Sequence, residues 1–209
     1  YGDLGHKSVA AIAWQHLTPY AKQNMGRILG MGQDKFINAS VWADHIKRDE
    51  RFNYLKPLHY VNMPKAAKRY DKGRDCKKDK CVVEAIKSFS KVAKSGSRTE
   101  KILAVRMLIH LIADIHQPLH AGLYEDRGGN WYEIKYEEDS VSLHKFWDHH
   151  LVKRVGEDWE SISQIILKNK IEVAVVSPEI WAEESHAITV KYVYQAKENK
   201  KVTDKYLDL

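Results

Sequence analysis

The sequence is short of several features, and each shortage excludes a class of protein. With 11 glycines and 5 prolines among 209 residues, it is neither collagen-like nor of low complexity. Hydrophobic residues make up 44% and charged residues 30%, values that exclude a disordered tail and suit a globular chain. No apolar run approaches the roughly 18 residues of a membrane span, and the longest, 105–115, contains Arg106, His110 and Asp114.

Cysteine is also scarce. Cys76 and Cys81 lie five positions apart in the lysine-rich segment 74–81. Zinc-binding cysteines usually have shorter gaps and a second pair, so a local disulfide is favoured over a metal pair; two free thiols in a reducing compartment are the alternative. The chain starts at Tyr1 with no apolar leader. Together these features predict a secreted or periplasmic protein whose signal peptide has been removed.

Apolar periodicity is helical almost throughout and predicts one mainly α-helical (all-α class) domain over residues 1–209 with a small β-hairpin. Thr18-Pro19 predicts the start of a helix that Gly30 ends. Segment 99–117 is apolar around most of its circumference, so it should be a buried central helix ended by Pro118. The pattern in 31–80 is irregular. The remaining predicted elements are a first helix carrying Val9, Ile12, Ala13 and Leu17, a helix capped by Asp79 that runs from Val82 to Gly96, a strand at 131–136, and helices at 143–154, 158–168 and from Ser177 toward Ala196.

Imidazole and carboxylate groups recur at helical spacing inside apolar segments. His110 and Asp114 lie one turn apart on the central helix, His144 and Asp148 repeat that spacing, and His120 follows Pro118. For one pair, a hydrogen bond that satisfies two buried polar groups is the simpler interpretation. Two pairs together with His120 favour a metal site, and a donor set without cysteine suits zinc or a similar divalent ion.

Three further segments carry possible ligands. A free amino group at Tyr1 can bind a metal together with its own carbonyl oxygen, and His6 lies near it in the sequence. Asp44 lies in an aromatic and charged stretch, and His59 lies between apolar neighbours. Each of these alone would be read as ordinary packing or surface chemistry.

Taken in order, these motifs closely resemble the single-strand-specific zinc nucleases of the S1/P1 family, whose fold is shared with zinc-dependent phospholipase C. The resemblance covers Tyr1 to about Gln195. Relatives usually have Trp at position 1 and continue into one more helix after Leu209, so either the chain is naturally short or a C-terminal piece is missing. The motifs are Tyr1-Gly-x-x-Gly-His6, Trp42-Ala-Asp44, His59-Tyr-Val-Asn62, His110-x3-Asp114-x5-His120, Asp126-Arg-Gly-Gly-Asn130 and His144-x3-Asp148.

The resemblance implies three zinc ions and nine ligand residues. Asp114 would bridge the first two ions. The implied sets are Tyr1, His6 and Asp114; Asp44, His59, His110 and Asp114; and His120, His144 and Asp148.

The resemblance also implies an activity: hydrolysis of single-stranded DNA and RNA to 5′-phosphorylated products, and of 3′-mononucleotides, by a monomer. Asp44 and Asp114 would be catalytic, with Asp44 orienting water. Lys47 would stabilise transition-state charge; without the resemblance, a solvated lysine is an equal alternative. Tyr60 would stack on a base unless it is a core aromatic. Asn62 would bond a base edge, and Asn130 would lie near the phosphate.

Other histidines give weaker signals. His116 lies off the ligand face of the central helix and is expected to support the ligands indirectly. His16 and His186 carry no signal. The rest, which adjoin ligands in sequence and could be support or surface, are His45, His149 and His150.

Two alternatives compete with a nuclease. A zinc phospholipase C of the same fold would prefer Glu at position 148, so Asp148 favours the nuclease. A zinc-storage or nucleic-acid-binding protein without activity would need neither an open coordination position nor Lys47 near the metals.

Overall fold

A computed structural model describes residues 1–169, 176–195 and 201–207 and is mainly helical, which confirms the predicted fold class. One antiparallel hairpin pairs β1 (Glu133–Tyr136) with β2 (Asp139–Ser142), Glu133 opposite Ser142. The α-helices are α1 Asp3–His16, α2 Pro19–Leu29, α3 Gln33–Ala39, α4 Trp42–Ile46, α5 Lys72–Asp75, α6 Val82–Ser95, α7 Arg98–Ile115, α8 Leu143–Lys145, α9 Leu151–Val155, α10 Trp159–Leu167, α11 Pro178–Lys191 and α12 Asp204–Leu207.

Helix α7 is the central element. It begins with a capping box, in which the Ser97 hydroxyl accepts from the Glu100 N–H and the Glu100 carboxylate accepts from the Ser97 N–H. It ends before Pro118, which opens the 3₁₀ turn Pro118–Ala121. Helices α6, α1, α4 and α11 pack against it. The apolar face therefore fixes α7, and with it the polar groups that α7 carries.

The core divides into three clusters around this helix. The largest lies between α6 and α7 and includes Leu55 and Leu111. A second, beneath the hairpin, includes Leu119 and Phe146. The third packs α1 against α3. The polar groups of α7, His110 and Asp114, are fully buried, so packing on several sides holds them in place.

Several predicted elements are confirmed. Helix α2 has Thr18 as its cap, with its hydroxyl accepting from the Ala21 N–H. Asp158 caps α10, and the hairpin forms with β1 beginning at Glu133. The predicted helix 143–154 forms as α8 and α9 joined by a π-helical turn, Phe146–His150. Ala196, the predicted end of the last helix, lies outside the described residues.

Other expectations were wrong. Asp79 does not cap α6, because it has positive φ (57°) and its carboxylate pairs with Lys72 Nζ at 2.8 Å; Cys81 precedes α6 without a side-chain cap. On α1, Ala13 of the predicted apolar stripe is exposed, while Ala10 and Ala11, which were not part of that stripe, are buried. The irregular stretch 31–80 contains short helices that periodicity could not reveal.

Cys76 and Cys81 form the predicted disulfide, which closes the loop between α5 and α6. Such a bond is typical of proteins in oxidising compartments. Within the described ranges, no helix combines the length and the apolar character that crossing a lipid bilayer requires.

Candidate metal centre

Asp114, in the last turn of α7, is fully buried. A buried carboxylate is costly unless cationic or hydrogen-bonding groups surround it. Here five nitrogen-bearing groups from distant parts of the chain do so. The distances to a carboxylate oxygen are 3.3 Å for the Tyr1 amino group, 3.1 Å for His6 Nε2, 3.0 Å for His59 Nδ1, 3.0 Å for His110 Nε2 and 3.4 Å for His120 Nδ1.

Around Asp114, three groups of side chains could each hold a metal ion, with ligand atoms inside 4.8 Å of one another. One group is identical to the predicted third set, and another matches the predicted second set without its bridging carboxylate. In the third, His110 accompanies His6 and Asp114, and the rings of His6 and His110 stack at 3.8 Å. The groups are His6, His110 and Asp114; Asp44, His59 and His110; and His120, His144 and Asp148.

Backbone carbonyls orient three of the imidazoles. Because a carbonyl only accepts, each nearby Nδ1 is assigned the proton, which leaves Nε2 as a lone-pair donor facing the carboxylates. The three contacts are His110 Nδ1 to Ser40 O at 2.6 Å, His120 Nδ1 to His59 O at 2.8 Å and His144 Nδ1 to Gly128 O at 2.7 Å.

Buried nitrogens without hydrogen bonds test whether this donor set fits a metal. Both ring nitrogens of His6 and the Nε2 atom of His59 are buried and lack a hydrogen-bond partner. His6 Nε2 lies 3.1 Å from Asp114 Oδ1 but lacks hydrogen-bond geometry. In addition, His110 Nε2 lies 3.0 Å from His59 Nδ1, so two imidazole nitrogens face each other. Divalent cations between these donors would give the unpartnered and facing nitrogens a ligand bond, so the residues fit zinc.

The charge states of the buried carboxyls and of His6 favour the binding of cations in this centre. Burial opposes ionisation of Asp114, but the positive charges of His110, His120 and the N-terminus outweigh burial and hold its pKa well below the ordinary value. The pKa of Asp148 is lowered in the same way, with the N-terminus as its main cationic partner. Burial and the charge of His110 lower the pKa of His6 to about 3, so its imidazole is neutral at ordinary pH and able to bind a metal.

The amino group of Tyr1 lies between two carboxylates. It is 3.3 Å from Asp114 Oδ1 and 3.1 Å from Asp148 Oδ1. Burial disfavours its ammonium form, but Asp148 and Asp114 outweigh burial and raise its pKa above the ordinary value. Gly5 permits this packing, because a Cβ there would lie 2.9 Å from the Tyr1 Cβ.

A cleft of about 1170 Å³ opens above the ligands, and His59, His120 and His144 contribute to its lining. All four predicted substrate residues, Lys47, Tyr60, Asn62 and Asn130, also line it. Lys47 Nζ donates to Asp44 Oδ1 at 2.6 Å. Tyr60 is 43% exposed, which excludes the core-aromatic alternative.

A glycine turn holds one wall of this cleft against the ligands. Gly128 and Gly129 have φ of 64° and 76°, values that favour glycine. A Cβ on Gly128 would lie 2.5 Å from Leu119 O. The close approach brings the Gly128 carbonyl to His144 Nδ1. The turn therefore positions the candidate ligand His144, which spacing alone does not reveal.

Contacts made by Gln117 and by helix α11 support the candidate centre and could not be predicted from the sequence. Gln117 Nε2 donates to Asp148 Oδ1 at 2.6 Å; its place between His110 and His120 in a quoted motif was the only available signal. Helix α11 clamps the segment that follows Asp114: Ser185 Oγ donates to Ile115 O at 2.6 Å, and Thr189 Oγ1 donates to Pro118 O. His186, which carried no sequence signal, is buried, with Nδ1 2.9 Å from Ala121 O.

The remaining histidines lie outside the ligand groups. The expectation that the His116 side chain supports the ligands was wrong, because the ring is exposed and packs against Trp181. His45 is exposed, 3.3 Å from Asp3. The ring of His149 lies against Gly2, where a Cβ would collide with it. His150 packs against Tyr136.

Sequence comparisons identify known proteins that are similar to this chain. Nuclease S1 of Aspergillus oryzae is 31% identical over 71% of this chain and 53% of its own length. Endonuclease 2 of Arabidopsis thaliana is 31% identical over 76% of this chain and 58% of its own length. Nuclease P1 of Penicillium citrinum is 28% identical over 81% of this chain and 66% of its own length. The chain thus spans about half to two thirds of these curated relatives. The S1/P1 Nuclease family model matches residues 1–209, so the chain belongs to the S1/P1 nuclease family.

Proposed function

We propose that this protein hydrolyses phosphodiester bonds in single-stranded DNA and RNA to 5′-phosphorylated products, and that it also removes phosphate from 3′-mononucleotides. One observation carries the proposal: three candidate ligand groups lie together, and their members His59, His120 and His144 line the same cleft as Lys47, Tyr60 and Asn62. Family membership supports the same activity.

The proposed cofactor is three zinc ions. Asp114 would be shared between two of them, which is consistent with its contacts to groups of both sets. We further propose that the protein acts as a monomer, that residues 1–209 form one domain, and that it is secreted or periplasmic, as the disulfide supports. The ligands are Tyr1 (amino nitrogen and carbonyl oxygen), His6 and Asp114 for one ion, Asp44, His59, His110 and Asp114 for the second, and His120, His144 and Asp148 for the third.

Zinc, when bound, lowers the pKa of water and polarises phosphoryl oxygens. The chain's own groups direct the reaction. Burial opposes ionisation of Asp44, but His110 and Lys47 outweigh it and lower the pKa of its carboxyl, so this carboxylate can accept a hydrogen bond from attacking water. Lys47, which contacts Asp44, can place its charge beside the phosphate as negative charge develops.

Strand preference follows from the position of the ligands below the cleft. A phosphate reaches them only if the adjoining base leaves its duplex, and an unpaired strand avoids the few kcal/mol of that step. Tyr60 can then stack on the base, and Asn62 can bond its edge. The Asn130 side chain is held in place by a hydrogen bond that its Nδ2 donates to Arg127 O at 2.8 Å.

A zinc phospholipase C remains the competing activity. Three specific observations favour the nuclease: Asp rather than Glu at position 148, the exposed Tyr60, and the basic lining of the cleft. A non-catalytic zinc protein is disfavoured, because the ligand groups open to a cleft that contains Lys47.

One side-by-side assay separates these functions. Single-stranded DNA, RNA, a 3′-mononucleotide and phosphatidylcholine are each incubated with the protein, with and without chelator. The proposal expects chelator-sensitive cleavage of the three nucleotide substrates, with 5′-phosphate on the polymer products. Cleavage of phosphatidylcholine alone, cleavage that resists chelation, or no cleavage of any nucleic acid contradicts it.

A further inference from the structure

Two exposed aromatic side chains lie on the cleft wall near the Gly128-Gly129 turn, and the proposed reaction does not use them. Trp131 is 63% exposed and Tyr124 71% exposed, and both line the cleft. The Arg127 guanidinium lies 4.1 Å from the centre of the Trp131 ring, over its face. Since one face of the indole is covered while most of the side chain is accessible, its remaining surface is available to a flat ligand.

This surface lies on a fixed loop. The Trp131 N–H donates to Asp126 O at 3.0 Å, and the Gly129 N–H donates to Asp126 Oδ1 at 2.8 Å. The other Asp126 oxygen accepts from the Tyr194 hydroxyl at 2.6 Å. A large apolar side chain that is both rigid and solvent-exposed gains no folding energy from burial, but it is well suited to binding, because little motion has to be lost on contact.

The cleft also contains basic side chains from the disulfide-closed segment. Lys77 and Lys80 lie within that loop, between Cys76 and Cys81, and Lys56 lies three residues before His59. All three lysines line the cleft. Among the described residues, none of the three forms an ion pair, nor does Arg127. Arg74 differs, since its guanidinium is paired with Asp75 at 2.7 Å. Unpaired cations beside aromatic faces match a polymer of phosphates and flat bases.

We propose that Trp131, backed by Arg127, is a second base-stacking platform, separate from Tyr60, and that Lys77 and Lys80 bind phosphates of the same strand. This inference rests on the proposed function and deepens it. The cleft then holds a run of nucleotides of single-stranded DNA or RNA, with one base at Tyr60 beside the metal centre and another at Trp131. A mononucleotide, which has a single base, cannot occupy both platforms.

Substrate length tests the platform in the zinc-loaded protein. The measured quantity is kcat/KM for an oligothymidylate octamer divided by kcat/KM for thymidine 3′-monophosphate. Trp131→Ala should lower this ratio about tenfold through a higher KM for the octamer, because one stacking partner is lost. Trp131→Tyr should restore most of it. Tyr20→Ala, which removes an aromatic side chain that is 72% exposed outside the cleft lining, should leave the ratio at the wild-type value.

Salt dependence tests the lysines. For single strands the slope of log K against log salt changes by about 0.7 per phosphate neutralised. Lys77→Ala/Lys80→Ala should therefore make the slope for octamer binding shallower by about 1.4. The matched control, Lys91→Ala/Lys94→Ala, removes two exposed lysines of α6 that do not line the cleft, and should change the slope much less.

The outcomes separate the two proposals. An unchanged length ratio in folded Trp131→Ala overturns the platform even if the enzyme is an active nuclease. If the wild-type protein cleaves neither substrate, the proposed function fails, and the platform is then judged by fluorescence anisotropy with a labelled phosphorothioate octamer. Weaker binding by Trp131→Ala than by Tyr20→Ala supports the platform there, and equal binding by the two variants overturns it.

Discussion

At the scale of single residues, one carboxylate organises the centre. Asp114 is fully buried, yet its two oxygens contact an amino group and four imidazoles. No other single position in the described centre contacts so many of the proposed ligands, and removing its charge would leave several cationic or metal-binding groups uncompensated.

Asp114→Asn should therefore lose zinc and activity together, and should lower the free energy of unfolding by about 3–5 kcal/mol. Zinc content, turnover of a single-stranded substrate and thermal unfolding measure these effects. Asp3→Asn is the matched control, because Asp3 is exposed on α1 and contacts only His45 among the ion pairs described. A variant of Asp114 with full zinc and full turnover would show that the carboxylate does not bridge two ions.

The amino group of Tyr1 gives a second prediction at this scale. Adding Met-Ala before Tyr1 converts the amine into an amide, which has no lone pair for a metal and carries no charge to pair with Asp148. We expect zinc content to fall by one ion and activity to fall by a factor of ten or more. The same two residues added after Leu209 are the control. Normal turnover of the N-terminally extended protein would rule out the chelate.

At the scale of elements, helix α11 holds the segment between Asp114 and His120 from the outside. Ser185, His186 and Thr189 each contact a main-chain carbonyl of residues 115–121. A 3₁₀ turn cannot satisfy all of its own carbonyls, so these side chains replace the missing partners in a region that is closed to water. The clamp therefore connects the position of ligand His120 to the packing of α11.

Ser185→Ala should lower the free energy of unfolding by about 1–3 kcal/mol, because the buried Ile115 carbonyl loses its partner. Ser95→Ala is a matched control: its hydroxyl donates to a carbonyl in the same manner, but on the exposed end of α6, and its effect should stay within about 0.5 kcal/mol. Chemical denaturation measures both. Equal effects of the two substitutions would show that the clamp adds nothing beyond a local hydrogen bond.

Elements also show which features can be predicted from sequence. Helices α2, α7 and α10 carry local signals, namely a capping hydroxyl or carboxylate and a regular apolar pattern, so their bounds are predictable. Asp79 has the chemistry of a cap, but the loop closed by Cys76 and Cys81 gives it a left-handed backbone and turns it toward Lys72. Tertiary constraint of this kind leaves no local trace.

At the scale of the whole molecule, the proposed ligands come from the N-terminus, α1, α4, α7 and α8 with its π-helical turn, and from the 3₁₀ segments around positions 59 and 120. Their residue types and motif order suffice to predict the convergence. The clamp of α11 is not predictable in this way, since Ser185 contacts a carbonyl 70 residues away and the hydroxyl gives no sign of its acceptor. Motif resemblance therefore predicts the proposed centre, whereas its supporting contacts are known only from the structure.

The central claim is that the chain gathers three zinc ions at the floor of a cleft. The most direct measurement is zinc per chain, by plasma mass spectrometry of protein with a free Tyr1 amino group, combined with anomalous diffraction at the zinc edge to locate each ion. We expect three ions, two of them sharing Asp114 and the third among His120, His144 and Asp148. Two ions or fewer in such protein, or zinc positions away from Asp114, would contradict it.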